Sequence, residues 1–262
     1  MMKFKFILTL AVLFSSICVP GVFALSKKTP FYEIKVYHFE NANQEDLIDD
    51  YLKNAFLPAM NRKGIMNVGV FKPVNNNSSE DKRIYVLVPF KSTRQFTDIA
   101  EQLAKDAMYN ENGKAYLEAS YNKSPYKRME SIFIKAFSQM PSMELPALKN
   151  ELSERVYELR SYEGPTEKMY LRKVEMFNTG GEISLFKRLG FNAVFYGSVI
   201  AGSRMPNLMY MTTFENMAAR DEHWNAFRVD AEWKKLSAME YYKNTVSKND
   251  TILLTPANYS QI

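Results

Sequence analysis

Hydrophobic and polar residues alternate along several short stretches of this chain, and stretches with helical spacing separate them. Residues 31–39 alternate as a half-buried strand does and are rich in β-branched and aromatic side chains. In the helix that follows, Asn43 can act as the N-cap, Pro58 forces a kink or a restart, and Gly64 provides a C-terminal stop. Further strands are predicted at residues 65–71, 83–90 and 131–137, with a second helix starting at Ser92 or Thr93. This order, βαββαβ, is that of a ferredoxin-like unit.

The same order begins again in the second half of the chain. Strands are predicted at residues 156–162, 192–200, 208–214 and 251–255, and the first helix over residues 167–189. Gly180 and Gly181 interrupt that helix. In the last helical region Asn216 can start a helix, and Asp230, which precedes Ala-Glu-Trp, can start another.

A repeated hexapeptide supports this division into two similar units. Residues 32–37 read Tyr-Glu-Ile-Lys-Val-Tyr and residues 157–162 read Tyr-Glu-Leu-Arg-Ser-Tyr. A repeat of this kind indicates two copies of one small domain, and Pro141 and Pro146 bracket a linker between them. We therefore predict an α+β protein of two tandem ferredoxin-like domains, at residues 25–140 and 154–262, with a linker at residues 141–153.

The first residues have the features of a secretory signal peptide. Two lysines precede an apolar run at residues 6–19, which is too short to span a bilayer, and a cleavage site follows Ala24. We predict that residues 1–24 are removed and that the mature protein is exported, either to a periplasm or out of the cell. An uncleaved signal anchor and a lipoprotein modified at Cys18 are the alternatives.

Composition removes several classes of function. Cys18 is the only cysteine, so cleavage leaves a chain without disulfides, thiol nucleophiles or cysteine metal ligands. The net charge of the full chain is +5, but basic and acidic residues are interspersed, so no nucleic-acid-binding face is predicted. No later run is apolar enough to cross a membrane. The sequence also has no phosphate-binding loop, nucleophile elbow or kinase signature.

Several segments of the chain resemble the NIPSNAP family. In the second half they are residues 156–162, Arg-Leu-Gly-Phe at 188–191, Arg-Asp-Glu-His-Trp at 220–224 and Asp-Ala-Glu-Trp at 230–233. The first half resembles the family more weakly, through residues 32–33 and 57–65, and lacks the tryptophan pair. The resemblance implies the dimeric α/β-barrel fold, in which two ferredoxin-like units close one sheet. Because both units lie in one chain, this polypeptide is expected to form the whole barrel of roughly eight strands.

The repeated strands carry the candidate functional side chains. Every second residue of a strand points to the same face, and in both copies that face has an acidic, a basic and a tyrosine side chain. The candidate ligand-binding residues are Glu33, Lys35, Tyr37, Glu158, Arg160 and Tyr162. We expect this face to line the barrel interior, where each carboxylate needs a cationic partner. In the alternative interpretation the same groups are structural ion pairs that hold the two halves together.

The aromatic and histidine residues give weaker signals. Trp224 and Trp233 are about half a turn out of phase on a straight helix, so we expect core packing rather than a shared aromatic site. His38 and His223 are the only histidines and do not form a zinc motif, so no metal site is predicted. Both are expected at the surface. We predict no cofactor, although some relatives with this barrel bind haem through a single histidine, which leaves haem open.

These observations favour a non-catalytic function. We predict that the protein binds a small, partly apolar ligand in the barrel, or a protein partner on its helical faces. Relatives with the same barrel include cofactor-independent monooxygenases and isomerases, so the alternative is an enzyme for an aromatic or polyketide-like substrate. In that case Arg160 would hold an anionic oxygen, and Glu158 or Tyr162 would move a proton. The third alternative is a structural homo-oligomer formed through exposed sheet edges or helices.

Overall fold

The computed structural model describes residues 30–262, so the predicted signal peptide and Cys18 lie outside the described residues. The strands are β1 Phe31–Phe39, β2 Gly69–Pro73, β3 Lys82–Phe90, β4 Arg128–Ala136, β5 Val156–Glu163, β6 Asn192–Ala201, β7 Asn207–Phe214 and β8 Lys248–Pro256. The helices are α1 Ala42–Tyr51, α2 Leu57–Arg62, α3 Thr93–Ala104, α4 Ala107–Asn112, α5 Lys114–Leu117, α6 Glu167–Phe177, α7 Glu182–Arg188, α8 Met217–Val229 and α9 Ala231–Ala238.

The eight strands form one closed antiparallel barrel. Its strand order is β1-β3-β2-β8-β5-β7-β6-β4. Strands β1 to β4 form one four-stranded ferredoxin-like sheet, β5 to β8 form the other, and the two sheets join at the β2–β8 and β4–β6 pairs. The predicted fold class, two tandem ferredoxin-like units that close a barrel within one chain, is confirmed. Closure leaves this sheet without a free edge, so the predicted route to homo-oligomers through exposed sheet edges is wrong.

Apolar side chains from every strand fill the barrel interior. Each unit contributes one central tyrosine that packs against a phenylalanine of the other unit: Tyr32 against Phe195, with ring centroids 5.0 Å apart, and Tyr157 against Phe71, at 4.8 Å. All four of these rings are fully buried. The cavity at one mouth of the barrel has a volume of only about 60 Å³. The expectation of a ligand chamber inside the barrel is therefore wrong, because this shared interior is the apolar core that joins the two units.

A tail after β8 strengthens the β2–β8 junction. The backbone N–H of Ala257 donates to the carbonyl of Val70 at 2.9 Å, and that of Gln261 donates to the carbonyl of Val68 at 3.1 Å. The side chain of Ile262 enters the barrel core. Second-unit residues therefore satisfy backbone groups of the first unit that would otherwise be a strand edge.

The helices cover the outer face of the barrel, and their breaks follow the predicted signals. Gly64 and Gly181 adopt positive φ angles of 72° and 96°, as expected for residues that end or separate helices. Asp230 caps α9 through the backbone N–H groups of Glu232 and Trp233. Several boundaries differ from prediction, and β4 and β8 each begin three residues earlier than expected. The first cap is Asn41 rather than Asn43, and β2 begins at Gly69, because the chain first turns at Asn67 with φ of 61°.

Candidate functional site

The charged face of β5 points away from the barrel interior and toward the helices. Glu158 and Arg160 contact Trp224 on α8, whereas Tyr157 and Leu159 belong to the barrel core. The expected orientation of the two faces is therefore wrong, and the same holds for Tyr37 in the first unit, which packs in the core beneath its own helices. The reason is physical: α8 supplies an arginine and an indole N–H that satisfy the buried carboxylate of Glu158.

Glu158 is the centre of a buried ion-pair network. Its carboxylate is 0% exposed. One oxygen accepts from Nε of Arg160, and the other accepts from Nε of Arg220 and, at 2.9 Å, from Nε1 of Trp224. The two arginine contacts are charge-assisted hydrogen bonds, which are shorter and stronger than neutral ones. The network matches the structural alternative predicted for these residues, except that its partners all belong to the second unit and do not join the two halves.

Arg160 links this network to a tyrosine pair. Its guanidinium lies 4.0 Å from the ring centroid of Trp224, and its Nη1 donates to the hydroxyl of Tyr162 at 3.0 Å. That hydroxyl is 2.9 Å from the hydroxyl of Tyr210. Burial tends to lower the pKa of Arg160, but its interactions with Tyr210, Tyr162 and Glu158 outweigh this and raise the pKa above its usual value. Burial raises the pKa of Tyr210 well above its usual range. Arg160 and Tyr210 therefore both keep their protons at neutral pH.

Arg160 and Tyr162 line an open pocket of about 280 Å³ between the sheet and helices α6 to α9, which we call the second-unit pocket. Its lining residues are Arg160, Tyr162, Lys173, Glu182, Phe186, Trp224, Phe227, Arg228 and Trp233. Lys173 is only 6% exposed, and its ammonium lies 2.8 Å from the Glu182 carboxylate and 4.8 Å from the ring centroid of Phe177. The pocket thus combines aromatic walls with a few polar groups, as small-ligand sites do.

Two helix breaks build this pocket. The break at Gly180 and Gly181 separates α6 from α7 and lets Lys173 on one helix meet Glu182 on the other. The break at Asp230 separates α8 from α9 and turns Trp233 toward Phe227, with ring centroids 4.4 Å apart. Trp224 and Trp233 therefore line one site after all. The expected core packing is confirmed, since Trp224 belongs to the apolar core of the second unit and Trp233 packs against it. The expectation that they share no site assumed a straight helix and is wrong, because the helix is interrupted between them.

Sequence reasoning missed Lys173, Glu182 and Arg220 as members of the site. Lys173 and Glu182 have no sequence signal beyond being charged residues on helices, whereas Arg220 stands in the 220–224 segment that resembles the NIPSNAP family. A buried carboxylate on the strand requires cations on the covering helix, and this rule could have pointed to Arg220. The Lys173–Glu182 pair depends on the angle between α6 and α7, which the sequence does not specify.

At the matching position of the first unit, the tyrosine is enclosed by other side chains. Glu33 accepts from Oγ of Ser131 at 2.7 Å, and its carboxylate is 3.8 Å from the Lys35 ammonium. Tyr37 is 1% exposed, and its ring packs against those of Tyr116 and Tyr126, with centroids 6.4 and 6.0 Å away. Tyrosine rings thus fill the space that stays open in the second unit.

The two histidines have different surroundings. His38 is 3% exposed, contrary to the expected surface position, and its Nδ1 and Nε2 lie 2.7 Å from Asp81 and 3.0 Å from Glu130. Both nitrogens are therefore engaged by carboxylates. His223 bonds through Nδ1 to the Ala219 carbonyl at 2.7 Å, and its ring packs against Phe191 on a neighbouring segment.

Within residues 30–262, no group of three or more His, Cys, Asp or Glu side chains is arranged to hold a metal ion. None of the helices in this range is both long and apolar enough to cross a membrane.

Comparison with known proteins finds one family model that matches the second unit and several solved structures with a similar fold. Residues 157–261 match the NIPSNAP family model. A proposed monooxygenase from Lactobacillus acidophilus superposes with a TM-score of 0.56 at 13% identity, covering 87% of this chain and 94% of that one. A second proposed monooxygenase, from Fusobacterium nucleatum, gives a TM-score of 0.57 at 9% identity, over 87% and 92% of the two chains. An anthrone oxidase-like protein gives 0.51 at 10% identity over the same shares. At these identities the similarity concerns the fold alone. No curated protein matches the sequence.

Proposed function

The chain carries a NIPSNAP domain over residues 157–261, and from this premise we propose that it is a non-catalytic protein that binds a small, partly apolar ligand in the second-unit pocket. This site replaces the barrel interior as the predicted place of binding. The ligand is expected to be small, because the pocket of about 280 Å³ is at the lower limit of typical ligand sites.

One observation carries this proposal: the same strand position is open in one unit and filled in the other. Tyr162 lines a pocket with Trp224 and Trp233, whereas its counterpart Tyr37 is enclosed by tyrosine rings. A position that served only to hold the fold together would be filled in both units, because open apolar surface has a cost in water.

The enzyme alternative is less well supported by the chemistry of the site. Glu158, a candidate proton acceptor, already receives hydrogen bonds from Arg160, Arg220 and Trp224. Both oxygens of this carboxylate are therefore engaged by the protein, and Glu158 is not among the residues that line the pocket. Fold neighbours described as monooxygenases and as anthrone oxidase-like keep the alternative worth testing, and Tyr162 with Arg160 would then be the reacting and anchoring groups.

The proposed setting of this function is outside the cytoplasm. The basic start, the short apolar run and the cleavage site after Ala24 support export of the mature protein to a periplasm or to the medium. A binding protein in that setting meets small molecules directly.

Native mass spectrometry of the mature chain, purified without refolding, tests the proposal. We expect one chain with a retained or added small molecule, and loss of that adduct in a Trp233→Ala variant that keeps its far-ultraviolet circular dichroism. Tyr121→Ala, a change at a residue that is 97% exposed in the first unit, is the control and should keep the adduct. A ligand that survives Trp233→Ala would contradict the proposed site. Conversion of the retained molecule during incubation would favour the enzyme alternative, and an apo multimer of this chain would favour the homo-oligomer.

A further inference from the structure

The charged side chains that line the second-unit pocket are mostly basic. Arg160, Lys173 and Arg228 line it, against the single carboxylate of Glu182. The Glu182 carboxylate already forms an ion pair with the Lys173 ammonium, at a distance of 2.8 Å. The two arginines are therefore the groups that remain to attract a ligand, and both are positive at any physiological pH.

The guanidinium of Arg160 is only partly used by the protein. Its Nε donates to Glu158 and its Nη1 donates to Tyr162, while Nη2 has no hydrogen-bond partner among residues 30–262. Glu158 is also shared with Arg220, so one carboxylate faces two guanidinium groups. Arg220 has a second, exposed partner in Asp221, whereas the further partner of Arg160 is a neutral hydroxyl. An acceptor brought into the pocket can complete the hydrogen bonding of Arg160.

Flat aromatic surfaces form the rest of the pocket. Trp224 and Phe227 have ring centroids 5.4 Å apart, and Phe227 and Trp233 have centroids 4.4 Å apart. The central guanidinium carbon of Arg160 lies 4.0 Å from the ring centroid of Trp224, so a group bonded to Arg160 would lie near the indole. Aromatic pairs favour offset-stacked or edge-to-face arrangements and gain stability beyond the area they bury, so an aromatic ring suits these walls.

We propose that the second-unit pocket selects a planar aromatic anion, such as an aromatic carboxylate, whose charged group bonds to Nη2 of Arg160 and whose ring packs among Trp224, Phe227 and Trp233. This inference rests on the ligand-binding function proposed above and adds the chemical class of the ligand. Arg228, which is exposed at the entrance, contributes attraction at longer range.

A pair of probes with nearly the same shape, one an anion and the other a neutral amide, tests the inference. Phenylacetate and phenylacetamide have nearly the same shape, and isothermal titration calorimetry gives the affinity of each. We expect phenylacetate to bind at least about tenfold more tightly, because a charge-assisted hydrogen bond is roughly twice as strong as a neutral one. Trp224 and Trp233 are the only tryptophans of the chain, so a change in tryptophan fluorescence during the titration locates the binding.

Three variants assign the selectivity to residues. Arg160→Gln should abolish the preference for phenylacetate, and Arg228→Gln should reduce it by a smaller factor. Arg94→Gln, a change at an exposed arginine on α3 of the first unit, is the control and should leave the preference unchanged. If Arg160→Gln unfolds, Arg228→Gln provides the test, because its side chain is exposed and donates a hydrogen bond to Asn225 on its own helix. An unchanged preference for phenylacetate in Arg228→Gln would then contradict the inference.

The outcomes separate this inference from the proposed function. Equal binding of the two probes, with a fluorescence change for both, would overturn the anion selectivity and leave the ligand-binding function standing. Binding of neither probe at millimolar concentration would also overturn it, and the mass-spectrometric adduct would then decide the proposed function alone. Phenylacetate binding without a fluorescence change would place the anion elsewhere and contradict the inference.

Discussion

At the scale of single residues, the second unit is organised around one buried carboxylate. Glu158 could be identified from the sequence, because the repeat pairs it with Glu33 and strand spacing puts it beside Arg160. The need for cationic partners was also predictable, since an unpaired buried charge is costly. The direction of the side chain was not predictable, because alternation assigns residues to two faces without saying which face meets the helices. That choice depends on Arg220 and Trp224, which lie more than sixty residues away.

We expect Glu158→Gln to lower the free energy of unfolding by about 3 kcal/mol, because it leaves two partly buried guanidinium groups without their shared anion. Glu33→Gln is the matched control at the repeated position, where the carboxylate has one close hydrogen bond and a distant ammonium. Its cost should be about 1 kcal/mol. Urea denaturation followed by circular dichroism measures both values. Equal losses would show that the extra contacts of Glu158 contribute no stability.

At the scale of elements, the breaks between helices decide where the aromatic side chains point. The sequence was sufficient to predict the caps, since Asn216 and Asp230 occupy the N-cap positions of α8 and α9. It was not sufficient to predict that Trp224 and Trp233 share a pocket. The angle between two short helices is set by packing on the sheet and by contacts such as Arg188 with Asp230, and neither leaves a periodic signal.

We expect Asp230→Ala to lower the melting temperature by about 2–4 °C and to weaken ligand binding, because it removes the cap that positions Trp233. Burial by itself raises the pKa of Asp230, but hydrogen bonds from Arg188, Trp233 and Glu232 outweigh it, and the pKa lies below its usual value. A lowered pKa gives stability that is complete above the usual value and is lost as the pH falls through the folded-state value. The variant should therefore lose less stability than the wild type on acidification below that usual value.

Asn216→Ala is the matched control for this prediction. Asn216 caps α8 by accepting from the N–H of Ala219, and an amide does not titrate. We expect a similar fall in melting temperature, with the acid dependence of the wild type retained. Thermal melts at several acidic pH values, together with phenylacetate titrations, compare the two variants. An unchanged acid dependence in Asp230→Ala would show that this carboxylate does not contribute to it.

At the scale of the whole molecule, the two units share one core. The repeat, the order of elements and the closed barrel were predictable, because a ferredoxin-like unit leaves one sheet face to be covered. The side-chain contacts inside the barrel were not predictable. The sequence places Tyr32 and Tyr157 on strands but does not indicate which side chains they contact. In the structure, each packs against a phenylalanine of the other unit. The register at β2–β8 and β4–β6, which fixes these contacts, depends on a join between distant segments.

We expect Phe71→Ala to destabilise both units together, by about 3–5 kcal/mol, because it removes a fully buried ring that packs on Tyr157 across the barrel. The tryptophans lie only in the second unit, so their fluorescence reports whether a change in the first unit reaches the second. Circular dichroism and fluorescence should show coincident transitions shifted by the same amount. Phe56→Ala, in the core beneath the first unit's helices, tests the same coupling without crossing the barrel. A fluorescence transition unmoved by Phe71→Ala would indicate units that unfold independently.

The covalent join between the units has a consequence for how the two pockets could evolve. A barrel made from two identical chains must repeat every substitution on both sides, so its two sites remain copies of each other. In this chain the halves accumulate substitutions separately, and one half has an open aromatic pocket while the other is sealed by tyrosines. A titration should accordingly saturate at one ligand per polypeptide, half the number of sites that the architecture offers.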